Sequence, residues 1–377
     1  MQIEHVEPIV LESAIDTVAL QSGRTSFDAT VTPVVVKVHT DEGITGLGET
    51  YLDDPVGLKA ETAAKGMEAV GHEIEGKDPR DVIARWHEMD IHVKREGSYR
   101  ALSAIDEALW DIKGKHAGEP VYELLGGEVG EVQAYATFPF SKPIDELIED
   151  GHWLAEKGFP LMKIVAGHGV EEDRKRIRQV QENTPDELDL AIDSNTTYDF
   201  KDALDVGETA SEYGLEWFEE PISHNNVQGQ AELNRRLSVS IAAYQNHVTH
   251  YPATDLLESA ALEVYQPALD FVGGITAANR VATMLEPYDK RLVPHAFGPI
   301  INYAASVHIA AASPACDLIE FGVYTDDIDD PGRYIASPYV ENPEAIYVED
   351  GGRIQPPEEP GLGIRLDEDA VEEHRLN

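Results

Sequence analysis

The stretch LDLAIDSNTTYDFKDALDVGETASEYGLEWFEEP, residues 188–221, decides the fold. An apolar run ends in Asp193, a helical segment follows, and a second apolar run ends in Glu219 and Glu220. Strand, helix, strand with both strands capped by acids is the pattern of a parallel βαβ unit. Working outward, the same unit recurs after Glu131. Further strands are expected at Val132–Thr137, Leu161–Val165, Ser238–Ala242, Leu262–Tyr265, Arg291–Pro294 and Leu318–Phe321, beside Leu188–Ile192 and Glu216–Phe218. Helical stretches such as Glu171–Gln181 and Ile275–Leu285 separate them. Eight such strands close into a barrel of the TIM type, with active residues at the strand C-termini.

The chain before Gly126 reads differently. PVVVKVHTDEGITGLGET, residues 33–50, alternates around an Asp41–Gly43 turn and predicts a hairpin. Helical periodicity then runs from about Pro55 to Gly114. The expected organisation is an α+β capping domain over residues 1–125, a barrel over 126–336, and a tail over 337–377 that returns to the cap.

Composition narrows the function. The 29 Lys and Arg face 71 Asp and Glu, a net charge of −42, and the acid is spread along the whole chain. Phosphate repels such a surface, so nucleic acid is excluded as a partner. Dispersed acid with only 13 lysines resembles the surfaces of proteins from salt-accumulating microbes, where concentrated ions screen self-repulsion. The melting temperature should therefore climb as KCl is raised from dilute to molar. A value independent of salt would contradict this reading. Ile301–Cys316 is interrupted by Asn302, His308 and Pro314 and reads as a buried helix, not a membrane span. The first residues lack a basic start and an apolar run, and Cys316 is the one cysteine. A cytoplasmic protein without disulfides is expected.

Polar residues collect at the strand ends: Asp193 and Asn195, then Glu219 and Glu220, then His295 in RLVPHAFG and Glu320 in DLIEFG. Carboxylates on consecutive strand ends converge near a barrel axis, where oxygen ligands hold a hard cation such as Mg²⁺. Together with GLGE at Gly46–Glu49, ALWDIKGKHAGEPVYELLGG at 108–127, EEP, QPALDFVGGIT and VPHAFG, these stretches resemble the enolase superfamily, in its mandelate racemase-like branch. The resemblance covers nearly the whole chain. It implies a modified barrel with an N-terminal α+β cap, a small carboxylate substrate, Mg²⁺, removal of the proton alpha to the carboxylate, and a homo-oligomer.

Carried over residue by residue, the resemblance makes Asp193 and Glu219 metal ligands and puts Gln245 where the third acid usually stands. A Gln oxygen can ligate but brings no charge, so Mg²⁺ would be held more weakly. Lys163 matches the first lysine of a Lys-x-Lys pair and would hold the substrate carboxylate. Val165 occupies the place of the second, a base. His295 matches the opposite base. Its usual Asp partner is replaced by Ala268, and Asp270, two residues on, is expected to reach back. Glu320 matches an acid that donates a hydrogen bond to the substrate. Asn195 and Glu220 would orient the ligands. Specificity is expected from the cap, through Ile15–Phe27 and the turn around Tyr51. His168, His224 and Tyr244, just past strand ends, are reserve candidates whose ordinary reading is loop surface. Gly273 and Gly274 read as turn glycines.

Two functions follow. The first is an acid-sugar dehydratase with His295 as its single acid and base, since losing the second lysine disfavours racemisation. The second is a non-catalytic relative that keeps the cavity without its metal, consistent with Val165, Gln245 and Ala268 all being altered. Bound Mg²⁺ near Asp193 discriminates them.

Overall fold

Alternating, β-branched sequence makes the first stretch a sheet. The computed structural model describes residues 1–12, 18–22, 25–29, 31–53, 58–128, 130–138, 141–323, 337–349 and 351–376. Its first strands are β1 (Ile3–Val10), β2 (Val18–Ser22), β3 (Thr25–Ala29), β4 (Val31–Thr40) and β5 (Thr45–Asp53). β1, β4 and β5 form an antiparallel sheet in that order, and β2 and β3 form a separate hairpin. Parts of the expected specificity segment Ile15–Phe27, residues 15–17 and 23–24, lie outside the described residues.

Helices α1 (Leu58–His72), α2 (Val82–Glu96), α3 (Tyr99–Ala117) and α4 (Val121–Leu124) complete the cap. α3 starts at Ser98, whose side chain accepts from Arg100 N, and stops at Gly118 in the left-handed region. Its acids explain the SAIDEALWDIK stretch. Asp106, Glu107 and Asp111 are all fully buried, and each bonds groups that lie far away in sequence. Asp106 accepts from the backbone N–H of Thr276 at 2.8 Å and from its hydroxyl at 2.7 Å. Glu107 accepts from Glu49 N at 3.1 Å and from Asn302 Nδ2 at 2.8 Å. Asp111 accepts from Leu47 N and Leu362 N, each at 2.8 Å.

Two glycines permit this close approach. A Cβ on Gly48 would lie 1.8 Å from Ala104 O on α3. One on Gly274, at φ +73°, would lie 2.6 Å from Asp106 Oδ2 and 2.9 Å from Ser103 O. Gly274→Ala should therefore destabilise the protein by on the order of 2–3 kcal/mol, from positive φ and overpacking together. A urea midpoint equal to that of the parent would refute the close-approach argument.

The barrel strands are β6 (Val132–Thr137), β7 (Leu161–Val165), β8 (Asp189–Asp193), β9 (Trp217–Glu219), β10 (Ser240–Ala243), β11 (Val264–Tyr265), β12 (Arg291–Leu292) and β13 (Ile319–Gly322). Neighbours pair in parallel from β6 through β12, and β13 pairs with β6. The ring closes through a parallel bridge of Leu292 to Cys316. β11 begins at Val264 and β12 ends at Leu292, so both are shorter than the runs read from the sequence; β12 stops ahead of Pro294, which has no N–H to donate to a ladder. The intervening helices are α5 (Ile144–Glu156), α6 (Val170–Asn183), α7 (Phe200–Glu212), α8 (Val227–Arg236), α9 (Pro252–Glu258), α10 (Leu269–Val272), α11 (Gly274–Leu285) and α12 (Ile300–Ala312). α12 is almost wholly buried. No helix among the described residues is long and apolar enough to cross a membrane.

After the barrel, β14 (Arg353–Ile354) pairs antiparallel with β6, and α13 (Glu368–Glu373) lies near the end. This tail runs back over the cap. Tyr339 OH donates to Glu49 Oε1 at 2.6 Å, Glu12 N to His374 O at 2.8 Å, and Leu376 N to Val10 O at 2.9 Å.

Candidate active site

The barrel interior is plugged by Tyr135, Leu161, Ala191, Trp217, Ala242, Val264, Val293 and Leu318, one from each strand or its immediate flank. Residues i and i+2 of a strand share a face. Two residues on from this plug stand Lys163, Asp193, Glu219, Gln266, His295 and Glu320. Strand alternation alone therefore stacks these groups in one layer above an apolar floor, at the strand C-termini. Val165, two further along β7, is buried, and pairs in register with Asp193.

Charge organises the layer. Lys163 is 3% exposed, with its ammonium 2.8 Å from Glu219 Oε2 and 2.9 Å from Glu320 Oε1. Burial pulls its pKa down, but the two carboxylates together outweigh that and hold it well above the usual lysine value. Glu320 Oε2 lies 2.7 Å from His295 Nδ1 and accepts from Ala296 N at 3.0 Å. The imidazole contact is off the line of an ideal hydrogen bond, and Nδ1 has no aligned partner among the described residues. Burial pushes the Glu320 carboxyl up, but the charges of His295 and Lys163 override it and hold it below the carboxylate range. His295 is correspondingly raised, burial being outweighed by Glu320.

Ala268 forms a parallel bridge with His295, so the residue beside the histidine carries only a methyl. Asp270 does not reach back to it. It lies in the first turn of α10, and its carboxylate pairs with Arg100 of α3. Arg100 also donates to Tyr51 O at 2.9 Å and lies 4.3 Å from the Phe271 ring centroid. Asp270 thus ties the barrel to the cap, and the acid at His295 is Glu320. Tyr51 comes from the end of β5, with its ring centroid 5.4 Å from that of Phe297, two residues past His295. The cap therefore meets the loop that carries the histidine.

Asp193 is buried, and Oδ1 accepts from the backbone N–H of Asn195 at 2.8 Å. Asn195 and Glu220 adopt left-handed φ of 45° and 40°, which turns the chain sharply at both strand ends. Glu220 accepts from Asn246 Nδ2 at 3.0 Å and from Gln245 Nε2 at 3.2 Å. Burial, then Glu219, pushes the Glu220 carboxyl up to about 7, and the same two causes raise Asp193 well above its usual value.

The donor set fits a hard cation. Glu219 Oε2 takes Lys163, Gln266 Nε2 at 2.7 Å and Trp217 Nε1 at 3.3 Å. Oε1 of Glu219 and Oε1 of Gln245 are both buried without a hydrogen-bond partner among the described residues. Unpaired buried oxygens beside mutually repelling acids favour a positive ion. Among the described residues, Asp193 and Glu219 belong to no group of three His, Cys, Asp or Glu whose ligand atoms all lie within 4.8 Å of one another; the one such group is His5, Glu7 and His39 on the cap sheet. The unpartnered Oε1 of Gln245 would offer a neutral third oxygen.

Gln266 was not singled out from the sequence, although a Gln closing an apolar strand in VYQP was visible. Of the reserve candidates, Tyr244 is buried at φ 118° and gives its hydroxyl to Thr249 O at 2.9 Å. His224 packs 5.5 Å from His247, ring to ring. His168 is half-buried, with Nε2 3.5 Å from Ser141 Oγ. Gly273 ends α10 at φ 107°.

Residues 147–370 match the family described as enolase C-terminal domain-like, and residues 9–126 match the mandelate racemase / muconate lactonizing enzyme N-terminal domain. The chain is 32% identical to D-galactarolactone cycloisomerase of Agrobacterium fabrum, over 100% of this chain and 99% of the relative. It is 28% identical to arabinonate dehydratase of Saccharolobus solfataricus, over 91% and 90% of the two chains. The solved structure of 3,6-anhydro-D-galactonate cycloisomerase from Zobellia galactanivorans superposes with a TM-score of 0.83 at 27% identity, covering 100% of both chains.

Proposed function

Since the chain belongs to the mandelate racemase / muconate lactonizing enzyme family of the enolase superfamily, we propose that it is an acid-sugar dehydratase that works with a single acid–base group and Mg²⁺. The observation that carries this reading is the asymmetry of the site: His295 is paired with Glu320 on one side, while β7 offers Val165 in place of a second base. Inverting a carbon centre needs a proton-transferring group on each face, whereas β-elimination needs one group that first accepts and then donates. The relatives named as dehydratase and cycloisomerase support a carboxylate-bearing sugar as substrate.

The proposed steps use the chain's own groups. With Nδ1 facing Glu320, Nε2 of His295 is left to take the proton alpha to the substrate carboxylate. The released electron pair moves toward the carboxylate, where the Lys163 ammonium offsets the growing negative charge. His295 then returns its proton to the hydroxyl on the neighbouring carbon, which leaves as water, and the enol product becomes a 2-keto-3-deoxy acid. Asp193, Glu219 and Gln245 would hold Mg²⁺, which when bound would supply further positive charge to offset the charge growing on the carboxylate. Tyr51 and Asn195 are proposed to touch the substrate from the cap side and the strand end. We also propose a cytoplasmic homo-oligomer, on the resemblance and the composition.

The test is a screen of acid sugars in molar KCl with Mg²⁺, read as 2-keto acid formation. Racemised substrate without a keto product would overturn the dehydratase assignment. The metal shell has its own test. Gln245→Glu should tighten Mg²⁺ binding about tenfold or more, an added ligand charge being worth at least about 1.4 kcal/mol. It should also lower the melting temperature of the metal-free protein, because the new acid faces Glu220. Calorimetric titration showing unchanged affinity would remove position 245 from the shell.

A further inference from the structure

We propose that Glu320 is the positioning residue for His295 in this chain, doing from β13 what an aspartate at position 268 would do, with Lys163 as its anchor. This rests on the reading of His295 as the base.

Both oxygens of the Glu320 carboxylate are engaged inside the protein. Oε1 faces Lys163 Nζ at 2.9 Å, and Oε2 faces both His295 Nδ1 at 2.7 Å and Ala296 N at 3.0 Å. To donate a hydrogen bond to substrate, the role the resemblance assigned, it would need a proton. It stands instead between a buried ammonium and an imidazole, which favour the carboxylate form. The neighbouring barrel position offers nothing in competition, because Ala268, which bridges to His295 through the backbone, has only a methyl side chain, and Asp270 is committed to Arg100. The closure of the ring explains how the substitution works. Leu292 of β12 bridges to Cys316 just ahead of β13, so the ends of these strands are adjacent. His295 therefore has a neighbour on each side, Ala268 from the β11 side and Glu320 from the β13 side, and the acid has changed sides. A carboxylate 2.7 Å from Nδ1, even off the hydrogen-bond line, draws a proton to that nitrogen, which favours the tautomer with Nε2 bare to accept a proton.

The decisive variants are Glu320→Gln and Glu320→Gln with Ala268→Asp. Glu320→Gln should lower kcat at least about a hundredfold with KM changed by no more than a few-fold, as expected when a base is left in the wrong tautomer. Ala268→Asp in that background should recover about tenfold or more of kcat by supplying the acid from the other side. A substrate-free readout separates this idea from the assigned reaction. In ¹⁵N-histidine NMR of the wild-type protein, the His295 resonance, identified by its loss in His295→Asn, should report a proton on Nδ1. It should lose that state in Glu320→Gln and regain it in the double variant. If this holds and no acid sugar is turned over, the positioning role stands and the dehydratase reading falls. A wild-type His295 protonated only on Nε2 would overturn the proposal even if no variant folds. So would a Glu320→Gln enzyme with near-parental kcat, or a double variant showing neither recovered kcat nor a restored Nδ1 proton.

Discussion

Replacing His295 with Asn should abolish exchange of the substrate alpha proton with solvent deuterium. The expected loss of kcat is about 10²–10⁴-fold, the usual worth of a positioned acid–base group. Asn keeps a polar group beside Glu320, so the fold should survive and KM should move little. The size of the effect follows from the absence of a substitute. Val165 cannot move a proton, and the Tyr244 hydroxyl is given to Thr249 O. Exchange that persists in His295→Asn would place the base elsewhere, and His168 would be the first group to test.

Lys163→Met should lower stability by about 3–5 kcal/mol, the usual effect of removing one partner from a buried ion pair. The lysine is buried between Glu219 and Glu320, so its loss leaves two acids without their cation. The pH dependence has a definite sign. Glu320 is held below its ordinary value, so its stabilising contribution is present above the unfolded carboxyl pKa of about 4.3 and is lost as pH falls through the lower folded value. Lys163 is raised, so its contribution is present below the unfolded lysine pKa of about 10.4 and is lost only as pH rises through the higher folded value. The gap between parent and variant should therefore be widest between about pH 5 and 10 and should close toward acid. Mg²⁺ should restore part of the stability by replacing the missing charge. Substrate binding should weaken as well. Denaturation curves that superpose at pH 7 would show that the lysine is not the charge on which the layer depends.

Much of this was legible in the sequence because strand periodicity is local. Each barrel strand announces itself by an apolar run, and where a polar residue stands at its end, alternation places it, as with Asp193 after Leu190–Ile192. What was not legible depends on closure and on the cap. Asp270 is two residues from the bridge to His295, yet it pairs with Arg100, 170 positions earlier. Sequence spacing carries no information about that distance. Glu320 meets His295 only because the last strand folds back beside the seventh. Gln266 was passed over because an amide at a strand end looks ordinary until its oxygen is seen buried without a partner. The early end of β12 comes from Pro294, whose missing N–H matters only once a neighbouring strand lies beside it.

The tail has one more consequence, concerning the order in which the chain is made. The cap's buried acids Glu49 and Asp111 take hydrogen bonds from Tyr339 and Leu362, and β1 takes one from Leu376. All three donors are translated after the whole barrel. A nascent cap therefore waits through the synthesis of eight strands with Glu49 and Asp111 each still lacking one of its donors, a state that water must keep open. The barrel can close while its lid is still loose, and the lid is sealed only when the last forty or so residues arrive. Removing the tail should therefore trap the chain at that stage, with the barrel built and its roof unlatched.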